Sequence, residues 1–207
     1  MSNGPFDDLL PSPDELLLMD EDLSRISQLA ARGEAAAIMA GPIAAWWGFT
    51  LALASLGFIL RFYGLLPATL PISPIQFILG YGGTLGFLLF RGKRIKFNVW
   101  QSQAVLTIWI FAGASIFLFN LGCALIHEHN MMLINAVLCL IFAMTMGVMG
   151  AANRRRWMLI PAIGWMTVGF AMFFLDDVVI RQTTLGLSSA AFMMVPGLIM
   201  MVSGKVA

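Results

Sequence analysis

The chain has 207 residues, of which 59% are apolar and 11% charged, with a net charge of +1 and a mean hydropathy of +0.86. Soluble domains carry about 25% charged residues, and a water-soluble fold of this size cannot hide so much apolar side chain in one core. That excludes an ordinary soluble enzyme or binding module, and with no basic domain there is nothing for nucleic acid to bind.

The chain opens on an acidic arm. Residues 1–35 hold eight of the eleven acidic side chains (Asp7, Asp8, Asp14, Glu15, Asp20, Glu21, Asp22 and Glu34) against Arg25 and Arg32, so the arm carries about −6 and the rest about +7. Ser12-Pro13-Asp14-Glu15 is a helix start: Ser12 caps, Pro13 suits the first turn and Glu15 completes a capping box. Leu16, Met19, Leu23, Ile26 and Ala30 then follow in steps of three and four, on one face of a short amphipathic helix. Its polar face is anionic and is repelled by an anionic bilayer, so lying on lipid is disfavoured. Three readings stay open: a solubilising tail, docking on the chain's own basic loops, or docking on a cytoplasmic or membrane protein, a second copy included. Two heptads are too short for a stable coiled coil. The first residues lack the basic start of a secretory signal, so insertion is expected to use the first membrane helix.

Six apolar stretches follow, at Met39–Leu60, Ser73–Phe90, Ser102–Ala124, Met131–Gly150, Trp157–Leu175 and Thr184–Ser203. Each is about 18–23 residues long, enough to cross a ~30 Å hydrocarbon layer. The expected fold is therefore an all-α integral membrane protein, with residues 1–35 as the cytoplasmic arm and 36–207 as a six-helix transmembrane domain. Arg91, Lys93, Arg94 and Lys96 separate spans two and three, Arg154, Arg155 and Arg156 separate four and five, and Lys205 follows six. The opposite loops hold only Arg61 and Arg181, beside Glu128, Asp176 and Asp177. The positive-inside rule puts both termini and the basic loops in the cytoplasm, across a bacterial inner membrane. These loops either set orientation alone or also attract acidic headgroups or a partner.

The loops divide the spans into three helical hairpins. Trp47, Trp109 and Trp165 occupy similar places in the odd spans, and Gly86, Gly147 and Gly204 follow them by 39, 38 and 39 residues. Parallel repeats of this kind fit a pseudo-threefold better than the inverted repeats of many transporters. With Trp and small residues in the odd helices, and even helices ending before basic residues (Gly92-Lys93-Arg94, Asn153-Arg154-Arg155-Arg156, Gly204-Lys205), residues 42–204 resemble the HdeD-like family of six-helix bacterial inner-membrane proteins. That resemblance implies a stress-related membrane protein and carries over no catalytic residue.

The chemistry-bearing residues are few. No ionisable side chain falls in the central part of any span, which argues against a proton-coupled carrier or a voltage sensor. Arg61, His127, Glu128, His129, Asp176 and Asp177 form a candidate periplasmic polar cluster: imidazole titrates near neutrality and binds metals, but His-x-His alone is a weak metal signal. Arg61 could pair with either acidic group. Gly80, Gly82, Gly83 and Gly86 make span two smooth, as a packing, dimer or pore face. Pro196-Gly197 should kink span six. Gln76, Gln103, Asn120 and Asn135 are expected to bond between helices. The 15 methionines suit gap-filling better than copper. Cys123 and Cys139 differ in depth by roughly 12 Å at 1.5 Å per residue, too far for a disulfide. Trp46, Trp47, Trp100 and Trp157 read as interface anchors.

No nucleophile elbow, zinc-protease, P-loop or Cys-x-x-Cys motif occurs, so no catalytic, cofactor or metal residue is assigned. The expected function is a non-enzymatic, accessory or stress-related membrane component acting by association, with homo-oligomer formation among the options. The alternative is a small channel or transporter for a neutral or weakly polar solute. A membrane sensor ranks third, since no output domain follows Ala207.

Overall fold

A computed structural model describes the backbone of residues 13–91, 100–126, 130–152 and 155–203, with side chains for 21–24, 41–90, 106–126, 130–151 and 155–202. Those residues form helices and turns, with no strand among them. Helix α1 runs Pro13–Phe62, α2 Ile72–Arg91, α3 Trp100–Leu125 and α4 Met131–Ala152. A 3₁₀ turn at Arg156–Met158 leads into α5, Leu159–Ala171. Helix α6 (Val178–Ser189) passes through a π-helical turn at Ala190–Met194 into α7, Val195–Ser203.

Five stretches are long and apolar enough to cross a membrane: Gly41–Phe62, Ile72–Phe90, Leu106–Leu125, Met131–Ala151 and Val178–Val202. The exterior suits hydrocarbon. Phe90, Ile78, Ile160, Phe111 and Phe170 are all exposed, a pattern that water-facing surfaces avoid. The expected fifth span, Trp157–Leu175, has only 13 residues of α-helix. Its two ends are wound more tightly instead. The Phe173 and Phe174 amides donate to the Phe170 and Ala171 carbonyls, three residues back, which continues the helix as a 3₁₀ turn.

The helix that begins at Pro13 does not stop before the membrane. It is continuous with the first span as one 50-residue helix, about 75 Å long, so the arm is not a separate short helix. Pro42 lies inside it and removes one hydrogen bond without ending it. What ends it is Gly64, at φ 74°. The Leu65 amide bonds the Leu60 carbonyl and the Gly64 amide the Arg61 carbonyl, a Schellman cap that needs a left-handed residue. Asn130 starts α4 by accepting from the Met132 and Leu133 amides, and Asp177 starts α6 by accepting from Ile180. Each supplies an acceptor to amides that have no intrahelical partner.

The closest packed pairs are α4 with α5 and α1 with α6–α7, and α5 meets the last span less extensively, through α6 and the π-helical turn. Followed in order, α1, α3, α4, α5 and α6–α7 close a ring, and α2 lies against α1. Small residues let α1 and the last span approach. A Cβ on Gly48 would lie 2.5 Å from the Met194 amide nitrogen and 2.8 Å from the Ser189 carbonyl. Gly41 and Gly197 lie against each other's backbone in the same way, and Gly186 abuts Ser55. Without a hydrophobic force between helices in lipid, such close backbone contact is a main source of cohesion.

Inside the ring, Trp47, Trp109 and Trp165 converge in one core with Phe142, Met146, Met193 and Met200. Trp47 is therefore a core residue and not an interface anchor. Its ring meets Tyr81 edge-on at 5.1 Å, and its indole N–H donates to Thr84 at 3.0 Å. The methionines at the centre fit the gap-filling reading. Cys123 and Cys139 are buried and free.

Candidate functional site

Two ends of the bundle can be distinguished: a proximal end, on the side of the N-terminal arm, and a distal end, at the turns 63–71 and 172–177 and the facing ends of α3 and α4. Five polar side chains lie four to seven residues inside the distal helix ends, one from each of five helices. They are Ser55 of α1, Gln76 of α2, Asn120 of α3, Asn135 of α4 and Gln182 of α6. At 1.5 Å per residue each sits about 6–10 Å below the end of its helix. Together with Ser73 they line one pocket of about 100 Å³, walled by Trp47, Phe58, Phe77 and Leu185.

The pocket leaves its polar groups unsatisfied. Ser55 Oγ, Gln76 Nε2, Asn135 Nδ2 and Gln182 Oε1 are buried without a protein hydrogen-bond partner. Buried polar atoms in folded proteins almost always have one, and an orphan costs about 1–3 kcal/mol. Four orphans around one pocket mark a place for something polar to sit. Two are donors, one is an acceptor and the hydroxyl is either. The volume matches about three waters at ~30 Å³ each. No charged side chain lines it, so the arrangement suits a neutral solute.

Among the described residues, the amides at Gln76, Asn120 and Asn135 thus show no hydrogen bond between helices. Asn120 donates back to the Ile116 carbonyl of its own helix at 2.8 Å, and the other two line the pocket with their amide nitrogens unpartnered. Gln103 has no described side chain. Gln182 and Ser55 carry no sequence signal of their own. Only their position one helical step from Arg181 and from the small-residue seam of α1 could have drawn attention to them.

The other sequence-based sites disperse. Arg61 donates to the Leu70 carbonyl and stacks over Phe58 at 5.1 Å, and no ion pair joins it to Asp176 or Asp177 among the described residues. Asp177 is a helix cap, and the Asp176 carbonyl accepts from Arg181 Nη2 at 3.0 Å. Arg181 is the fourth residue of the last span, not a loop residue, and is 6% exposed. His127, Glu128 and His129 lie outside the described residues. Among those described, no three His, Cys, Asp or Glu side chains meet to hold a metal.

The α2 glycines split into two pairs. Gly80 and Gly83 receive the indoles of Trp47 and Trp46, while Gly82 and Gly86 face open space. Of the docking stripe, Leu23 is exposed, and the side chains of Leu16, Met19 and Ile26 are not described. Of the basic loops, Arg156 is exposed and Arg155 partly buried. The side chain of Arg91 is not described, and Lys93, Arg94, Lys96 and Arg154 lie outside the described residues. Comparison with protein-family models, curated proteins and solved structures finds no match.

Proposed function

We propose that this chain is a non-enzymatic, six-span membrane protein that admits a small neutral polar solute to its distal pocket, acting as a small channel or carrier. The four unpartnered polar groups around one pocket carry this reading. An enzyme would need a nucleophile, a metal set or an acid–base pair at the site, and the pocket lining consists of amides, hydroxyls and apolar walls. Six spans are favoured because the 3₁₀ turns flanking α5 rise about 2 Å per residue, so residues 156–174 reach about 30 Å despite the short α-helix. The basic residues between α2 and α3 and between α4 and α5 support a cytoplasmic proximal end and a bacterial inner-membrane setting. The HdeD-like resemblance rests on the sequence habits described above and adds a stress-related role to the proposal.

Stopped-flow light scattering on proteoliposomes tests it. Glycerol and urea should enter faster than into protein-free vesicles, while sodium and chloride should not. Equal rates for both vesicle types would refute the reading.

A second reading, association with a cytoplasmic or membrane partner, is favoured by the uninterrupted run of α1 from Pro13. It holds Glu21, Asp22 and Leu23, all exposed, on a helix that continues about 42 Å beyond Gly41. Removing residues 1–35 should then release a co-purifying partner and leave the bundle folded.

A further inference from the structure

Among the described residues, Arg181 is the only charged side chain that is buried. It is 6% exposed, although it lies in the last candidate membrane span, Val178–Val202. An ionisable group turned inward within a membrane helix is costly to keep and marks a solute or ion path. Its hydrogen bonds do not account for that cost. Nη2 donates to the Asp176 carbonyl at 3.0 Å, and Nε is buried with no hydrogen-bond partner. A neutral amide could hold the same carbonyl. What a basic residue adds is the charge.

The bond to Asp176 fixes where that charge sits. Asp176 directly precedes Asp177, the cap of α6, so the guanidinium lies at the distal start of that helix. Gln182, the next residue, lines the polar pocket and carries an orphaned Oε1. Its backbone is about 6 Å along the helix from Val178. Arg181 is not itself among the lining side chains, but a full charge acts over distance and needs no contact with a solute. The nearby carboxylates do not cancel it. Asp176 and Asp177 are exposed, where salt screens charge over about 8 Å, and Asp177 is turned to the Ile180 amide at 2.8 Å.

We propose that Arg181 sets the charge selectivity of the distal pocket, holding it at a positive potential that bars cations while neutral polar molecules enter. The inference rests on the solute reading of that pocket and names the residue that decides what is excluded. Shape alone cannot do this. Urea and guanidinium share one planar outline and differ by a single charge. At an effective dielectric of about 20, a unit charge about 10 Å away lowers the occupancy of a monovalent cation about fifteenfold. Chloride stays out for another reason: the guanidinium is not in the lining and does not replace its hydration shell.

The test is uptake of radiolabelled urea and guanidinium, each at low millimolar concentration, into proteoliposomes of the full chain with the membrane potential clamped to zero. Wild type should admit urea and hold guanidinium at the protein-free background. Arg181→Gln and Arg181→Met remove the charge. Each should raise the guanidinium-to-urea ratio about fifteenfold over wild type, with urea entry and helical circular dichroism kept. Arg181→Lys keeps the charge and should keep the wild-type ratio. An unchanged ratio in the neutral variants would overturn the role of Arg181 and leave the solute reading standing. A ratio raised equally in Arg181→Lys would overturn it too, since arginine would then act through its shape. No urea entry in wild type would instead refute the solute reading, and this inference with it.

Discussion

Gly48→Ala adds a single methyl group at the seam between α1 and the last span, and it should be among the most damaging small changes in the chain. The new Cβ would lie 2.5 Å from the Met194 amide nitrogen, whereas ordinary contact begins at 3.4 Å. The obstacle is backbone, inside a π-helical turn, so no side chain can rotate away. The helices must part by about 0.9 Å, and a gap of that size forfeits a quarter to a half of each contact along the seam. Overpacking of this kind costs about 1–3 kcal/mol, and with the added loss of contact we expect about 3 kcal/mol. Gly82→Ala is the matched control. Nothing lies within 4 Å of its Cβ, so it should be neutral or gain up to about 1 kcal/mol from helix propensity. Equilibrium unfolding in mixed dodecylmaltoside–SDS micelles, followed by circular dichroism, reads both variants. If the two are equally stable, or Gly82→Ala is the worse, the assignment of the seam is wrong.

Two further changes test the helix ends. Gly64→Ala forces a Cβ into the left-handed conformation that closes α1, and should cost about 1 kcal/mol in the same unfolding assay. Asn130→Ala removes the acceptor for two amides of α4, and should cost about 1 kcal/mol, with Asn130→Asp close to wild type.

The sequence announces its spans because membrane helices must be apolar over their whole length. Their starts and stops are local too: Asn130, Asp177 and Gly64 act within four residues of themselves. Partner choice is not local. Gly80, Gly82, Gly83 and Gly86 are the densest glycine run, yet only Gly80 and Gly83 meet another helix, and they receive indoles instead of backbone. The seam that brings backbones together is spread through α1 as Gly41, Ala45, Gly48, Ala52 and Ser55. Those steps of four and three are legible only once the facing glycines, Gly186 and Gly197, are known. The expected fifth span holds only a 13-residue α-helix because both its ends wind more tightly, a change the apolar pattern does not signal. The arm reads as a separate element because its composition changes at about residue 35, but a helix needs no change of composition to continue.

The pocket was half legible. Gln76, Asn120 and Asn135 stand out as amides in apolar helices, and the sequence could say that each needs a partner but not that they share one cavity. Ser55 and Gln182 complete it from the two helices packed along the seam, a proximity no spacing rule predicts. Trp47 hid for a similar reason. Beside Trp46 near a span end it looks like an anchor, but helix rotation turns it into the core while Trp46 remains at the surface, bonded to the Leu79 carbonyl at 2.9 Å.

The most direct measurement of the central claim takes Asn135→Leu/Gln182→Leu through two readings on one preparation: glycerol flux in proteoliposomes and unfolding in micelles. Leucine is close to both amides in size and removes two of the orphaned polar groups, so a pocket kept for function should lose its solute while the bundle gains stability. The account predicts flux at the protein-free background together with an unfolding midpoint at or above wild type. Undiminished flux would show that the solute does not use this pocket. Flux lost together with a lower midpoint would show that the amides hold the bundle together and are not there to receive a solute.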